Sequence, residues 1–294
     1  MDNVKIDVLI PTYKPNVSFG NMVKRLLKQT VQLNKIIVIN TEEQFWNSEF
    51  EAITEKLEVH HISKEEFGHG SSRNKAASFS KADVIIFMTQ DAKPYDKYLI
   101  ERLVKPFSED EKIWCTYARQ LATGDCMEIE RYTRIYNYPR QSHVRSKADI
   151  DKYGIKTYFC SNSCAAYDKA KFDELGGFDK DVAFGEDTVM AAEIMEHGGK
   201  VAYCGDAVVI HSHNYTLKQQ LKRNYEVGVM HKDVLSKYCD LKSEKEGVKL
   251  VVKTASHLIE EQEYLWIGYL FVYSAAKYIG YFMGYHHKLF PRRK

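Results

Sequence analysis

Through the first half of the chain, short unbroken apolar runs alternate with longer stretches patterned for helix. The purest run is Val84-Ile85-Ile86-Phe87-Met88, entered at Asp83 and left through a turn ending at Pro94. Five apolar positions of this kind, several β-branched or aromatic, predict a strand buried on both faces. Residues 4–10, 35–40 and 57–62 predict further strands, and residues 18–29, 49–57 and 71–80 the helices between them, with Ser18 as the first N-cap. This βαβα succession predicts a mostly parallel, Rossmann-like α/β sheet flanked by helices on both faces.

The second half is less regular. Helices are expected at 99–107, 169–175 and 188–197, and strands at 113–118, 157–166, 201–204 and 207–213. Residues 127–156 are polar and rich in Arg and Tyr, which reads as a loop or a pair of short helices. Residues 215–238 predict a helix and 239–249 a charged connector. The stretch 264–285 is apolar and aromatic and about long enough to span a bilayer, with Lys277 in its middle and Lys288, Arg292, Arg293 and Lys294 after it. Spanning with that basic end in the cytosol would put the preceding domain outside. An interfacial helix, or one packed on protein through Gly280-x-x-x-Gly284, is expected instead. The chain thus divides into an α/β domain at 1–213 and a helical region at 214–294 that meets a membrane surface or a second copy in a homodimer.

At 294 residues the chain can bury a large core, and 42 basic against 40 acidic side chains exclude nucleic acid as the main partner. Six cysteines are widely spread, and no N-terminal segment has the zones of a signal peptide, so a cytoplasmic chain with reduced thiols is expected. Cys160, Cys164, His211 and His213 nominally make a zinc set, but the thiol spacing inside a strand-like run disfavours it.

Candidate chemistry collects at element ends. Asp91 follows the buried strand, at the sheet edge where ligands of open α/β folds bind; its bland reading is a turn residue capping the helix that begins near Asp96. The loop Gly68-His69-Gly70-Ser71-Ser72-Arg73-Asn74 offers backbone donors, hydroxyls and a guanidinium suited to a diphosphate or a base edge. Glu186 and Asp187 open a helix, where acids also serve simply as caps. His211 and His213, at a strand end, are expected to point to opposite faces, so that one of them shares the crevice with Asp91.

Taken together, Pro11-Thr12-Tyr13, Phe67 to Asn74, Thr89-Gln90-Asp91-Ala92, Phe184 to Thr188 and His211-Ser212-His213 resemble the inverting glycosyltransferases of family 2, which have the GT-A fold. The glycine-rich loop, Phe87 to Ala92, and Gly176-Gly177-Phe178 ahead of Gly185-Glu186-Asp187 look more narrowly like the rhamnosyltransferase branch. The likeness covers residues 4–231. It implies a metal-dependent enzyme moving L-rhamnose from dTDP-L-rhamnose to a lipid-linked bacterial surface polysaccharide, placed peripherally on the inner face of the cell membrane. By the same resemblance, Pro11, Thr12, Tyr13, Asn40, Thr41, Arg73, Gln90 and Asp91 bind the nucleotide sugar. Asp91, His211 and His213 are the metal candidates for Mn²⁺ or Mg²⁺, Asp187 is the general base, and Glu186 orients base or acceptor. Two departures stand out: Asn40-Thr41-Glu42 replaces the family's base-reading aspartate, and Gln90 replaces the acid that precedes Asp91's position in the family. Three other readings compete. One is a different sugar donor; another is a glycan-binding scaffold with a decayed site. The third, a sugar nucleotidyltransferase, lacks its glycine-rich loop at residues 11–16.

Overall fold

The apolar runs form the middle of one nine-stranded sheet. The computed structural model describes residues 4–238 and 244–290, so Cys239, the start of the charged connector and Arg292, Arg293 and Lys294 lie outside the described residues. The chain begins with β1 (Ile6–Tyr13), α1 (Val17–Leu26), β2 (Lys35–Thr41), β3 (Leu57–Ile62), α2 (His69–Phe79), β4 (Val84–Met88) and β5 (Lys93–Pro94). It continues through α3 (Leu99–Val104), α4 (Pro106–Glu109), β6 (Ile113–Leu121), α5 (Glu128–Asn137), β7 (His143–Arg145) and α6 (Ile150–Tyr153). Then follow β8 (Cys164–Asp168), α7 (Lys169–Glu174), α8 (Glu186–Glu196), β9 (Lys200–Ile210), α9 (Leu217–Asp233), α10 (Glu244–Glu260) and α11 (Leu265–Tyr285).

Strand order is β3-β2-β1-β4-β8-β6-β9-β5, with β7 also on β9. The first four strands are parallel, as the βαβα pattern requires. Beyond them β8 runs antiparallel to β4, β6 antiparallel to β8, and β9 parallel to β6. Two reversals restore the original direction, so the C-terminal ends of β4 and β9 lie on the same edge of the sheet. Alternation across each strand builds two cores: Leu9, Ile37, Ile85 and Phe87 face one side, and Val8, Ile36, Val38 and Ile86 the other. Phe87 is fully buried, its ring 5.0 Å from Phe178 and 5.6 Å from Phe172 between centroids.

Several boundaries move for local reasons. Asn16 rather than Ser18 caps α1, its Oδ1 accepting the Ser18 N–H at 2.9 Å. Residues Ser48–Ile53 form a 3₁₀ turn where an α-helix was expected, and Gly154–Tyr158 form another, so the strand predicted from residue 157 begins only at Cys164. Pro106 splits the 99–107 helix into α3 and α4. The two pieces expected at 201–213 are one strand, β9, kept on β6 by a register shift at Ala118/Arg119. It ends at Ile210, leaving both histidines just beyond the ladder.

In the helical region, α11 packs on α9 at backbone distance. A methyl group added at Gly284 would overlap the Tyr225 carbonyl, at Gly280 that of Leu221, and at Gly228 that of Tyr281. The glycine spacing is therefore a packing device. Leu270 and Tyr273 bury the inner face of α11, while Phe271, Val272, Tyr278, Ile279 and Phe282 remain exposed. Among the described residues no helix is long and apolar enough to cross a membrane. Gly284→Val is expected to cost about 1–3 kcal/mol in urea unfolding through overpacking. Gly268→Ala, with open space around it, serves as the control and should leave the midpoint unchanged or raise it.

Candidate active site

The turn after β4 delivers Thr89, Gln90 and Asp91 to the C-terminal edge of the sheet. Gln90 holds the neighbouring strand end at two points: its Oε1 accepts the Tyr13 N–H at 3.0 Å and its Nε2 donates to the Tyr13 carbonyl at 3.1 Å. An acid could only accept here, which gives the glutamine at this position a physical reason. Across the edge, β9 delivers His211 and His213. Both approach Asp91, His211 Nε2 at 3.5 Å from Oδ1 and His213 Nε2 at 3.6 Å from Oδ2. The expectation that the two rings point to opposite faces is therefore wrong: positions separated by one residue on an extended chain share a face.

Gln120 of β6 orients His211. Its Nε2 donates to Tyr138 and Ser161, so its Oε1 faces His211 Nδ1, at 2.9 Å, and that nitrogen carries the ring proton. Nε2 is left with a lone pair, buried and without a hydrogen-bond partner. Burial holds the imidazole neutral, its pKa pushed down to about 3 against the opposing charge of Asp91. A neutral ring with its second nitrogen fixed by an amide is the usual state of a metal-bound histidine. The donor atoms of Asp91, His211 and His213 lie within 4.8 Å of one another, so this set fits a divalent cation. Among the described residues it is the one such group, and neither Cys160 nor Cys164 joins it; Cys160 Sγ instead lies 3.6 Å from Cys115 Sγ.

Gly185, in the left-handed region at φ 86°, turns the chain into α8 and brings Glu186 and Asp187 beneath the same edge. The two carboxylates are held differently. Glu186 is buried, 3.3 Å from Arg73 Nη1, and accepts from Asn162 Nδ2 at 3.1 Å. Burial alone would raise its pKa, but the charges of Arg73 and His69 and the Asn162 bond hold it below the usual carboxylate range. Asp187 accepts backbone N–H groups of Asn162 at 3.0 Å and Thr188 at 2.8 Å. Desolvation, then the charge of Glu186, pushes it up to about 6. One carboxylate is thus locked ionised and its neighbour poised near neutrality, a division suited to proton transfer.

His211, His213, Glu186 and Asp187 line one cavity of about 580 Å³, which Asp91 adjoins through the two histidines. Arg73 lines it too, committed to Glu186 and to the His69 carbonyl at 2.9 Å. Pro11, Thr12, Tyr13, Asn40 and Thr41 come together elsewhere, at the paired ends of β1 and β2. There Asn40 is buried, its amide shared among Thr12, Glu42 and His61, while Tyr13 is exposed. Gln120 and Asn162 were not legible beforehand, since each acts on residues far along the chain.

Comparison with known proteins decides the family. Residues 7–176 match Glycosyl transferase family 2. The chain belongs to this family. Among curated relatives of this family 2 glycosyltransferase, the O-antigen chain rhamnosyltransferase RfbN of Salmonella typhimurium is 37% identical over 98% of the chain and 92% of the relative. The O-antigen chain rhamnosyltransferase WbaN of Salmonella anatum is 33% identical over 97% of the chain and 90% of the relative. Among solved structures, the mannosyltransferase PcManGT of Pyrobaculum calidifontis, in complex with GDP-Man and Mn²⁺, shares the fold. Its TM-score is 0.65 at 12% identity, covering 99% of this chain and 88% of that one.

Removing Arg73 strands a buried carboxylate. Arg73→Met is expected to cost about 3–5 kcal/mol in denaturant unfolding, and adding Glu186→Met should recover most of that loss.

Proposed function

We propose that this glycosyltransferase moves L-rhamnose from dTDP-L-rhamnose, with inversion, to a lipid-linked bacterial surface polysaccharide. The observation that carries the reading is the single cavity lined by both histidines beside Asp91 and by Asp187. The choice of sugar is supported by two relatives named as rhamnosyltransferases over nearly the whole chain.

In this reading Asp91, His211 and His213 hold a divalent cation, Mn²⁺ or Mg²⁺, and the two imidazoles favour Mn²⁺. The Mn²⁺ of the PcManGT complex is in keeping with that preference. When bound, such a cation offsets the negative charge that grows on a departing diphosphate. Pro11, Thr12, Tyr13, Asn40 and Thr41 form the nucleoside side of the site, with Asn40 bracing Thr12 and the exposed Tyr13 ring available to the base. Gln90 keeps Tyr13 in register with Asp91. Arg73 serves the carboxylate pair rather than the nucleotide.

Asp187 takes the proton of the acceptor hydroxyl as that oxygen attacks the anomeric carbon from the face opposite the diphosphate. The new C–O bond forms while the bond to the diphosphate breaks, giving one inversion with one base. Glu186 stays ionised against Arg73, and its charge keeps Asp187 a strong enough base near neutral pH. The exposed apolar face of α11 supports peripheral attachment at the inner surface of the bacterial membrane, where cytoplasmic sugar nucleotides meet a lipid-linked acceptor.

The direct test is nucleotide release from a panel of sugar nucleotides with Mn²⁺ or with EDTA. Release from dTDP-L-rhamnose that needs the metal is expected, and a protein inert toward every donor would remove the reading. Asp187→Asn should lower transfer by at least about a hundredfold while dTDP still binds. In the wild type, kcat/KM should fall about tenfold per unit below pH 6, because only the ionised Asp187, with its pKa pushed up to about 6, accepts a proton. Asp91→Ala should weaken Mn²⁺-dependent dTDP binding, measured by calorimetry, by about tenfold or more.

A further inference from the structure

The cavity carries more positive charge than the carboxylate pair uses. Arg73 is matched by Glu186 at 3.3 Å and Lys277 by Glu130 at 3.8 Å. Arg134 of α5 and Arg223 of α9 line the same cavity, and among the described residues neither is in an ion pair. Arg134 Nε is buried with no acceptor, and its guanidinium lies 5.9 Å from the Tyr138 ring. Arg223 rests against Phe184 at 4.5 Å and Tyr215 at 5.4 Å, with a long 3.5 Å bond from Nη1 to the Tyr215 hydroxyl. Guanidinium groups resting against aromatic rings and without a carboxylate partner are suited to take the oxygens of a phosphate.

Both arginines come from helices, Arg134 from α5 and Arg223 from α9, and not from the ends of β1, β2 and β4, although their charge also reaches His211 and His213 across the cavity. Their charge is felt by Lys277, which desolvation first and then these two neighbours hold below the usual lysine range despite Glu130. Lys277 is also the one Asp, Glu, Lys or Arg between residues 264 and 286. The helix that shows it to the cavity shows Phe271, Val272, Tyr278, Ile279 and Phe282 to the outside. Cationic inside and apolar outside, this wall suits a ligand that is itself a phosphate joined to a hydrocarbon chain.

We propose that Arg134 and Arg223 form the subsite for the phosphate through which the acceptor glycan is attached to its lipid. The assignment rests on the transferase reading above, but its test does not require turnover. Farnesyl diphosphate, inorganic pyrophosphate and dTDP are the probes, the first two titrated calorimetrically in EDTA and the third with Mn²⁺. The wild type should bind farnesyl diphosphate more tightly than pyrophosphate. Arg134→Gln/Arg223→Gln should weaken farnesyl diphosphate at least tenfold and leave dTDP within twofold, while Arg134→Lys/Arg223→Lys, which keeps the charge and the fold but not the fork, should fall between. Loss of dTDP binding, alone or equally with farnesyl diphosphate, would assign the arginines to the donor and overturn the proposal. So would wild-type binding of pyrophosphate as tight as farnesyl diphosphate, no farnesyl diphosphate binding, or binding that the double variant leaves unchanged.

Discussion

The restored direction of β9 is the constraint on which the site depends. Because β8 and β6 each reverse the chain, β9 runs with β4, and its C-terminal end meets Asp91 instead of emerging on the far edge. Had only one reversal intervened, His211 and His213 would lie a strand's length away, and no loop change could recover the group. The fully buried strands make that arrangement rigid. Phe87, enclosed by Phe172, Phe178 and Tyr167, fixes β4 from the side that also carries α8 and its two acids.

Within this frame, desolvation sorts the ionisable groups. Water stripped from His211 leaves it neutral, so its free nitrogen is an electron-pair donor and not a cation. The same loss of water at Glu186 would neutralise it were Arg73 not beside it, and the charge thereby retained acts on Asp187. Asn162 ties the two together, its amide on Glu186 and its backbone N–H on Asp187, while Tyr167 donates to its Oδ1 at 2.8 Å. The acid pair is therefore held by a network that reaches the core aromatics, and its ionisation and its packing are not separable here.

The helical region completes the cavity as well as covering it. Close contact of α9 with α11 through three glycines sets Arg223 and Lys277 in the wall facing the acids. The same packing leaves the opposite side of α11 apolar and uncovered. One helix thus joins the cavity to an exposed apolar face.

The sequence by itself determined the parallel half of the sheet, because five-residue apolar runs punctuated by turns admit few other folds. It also singled out Asp91, Glu186, Asp187, His211 and His213 as candidates, through an order along the chain that resembles that of family 2 enzymes. Tertiary structure alone decided how those groups are placed. That both histidines face Asp91 follows from β9 being a single strand ending at Ile210, and Arg73 is drawn to Glu186 by a burial that no local pattern records. Gln120 and Asn162 act across 91 and 24 or 25 positions of chain, distances over which periodicity and propensity carry no information. Propensity is local, whereas the state of a buried charge is set by whatever the fold packs against it.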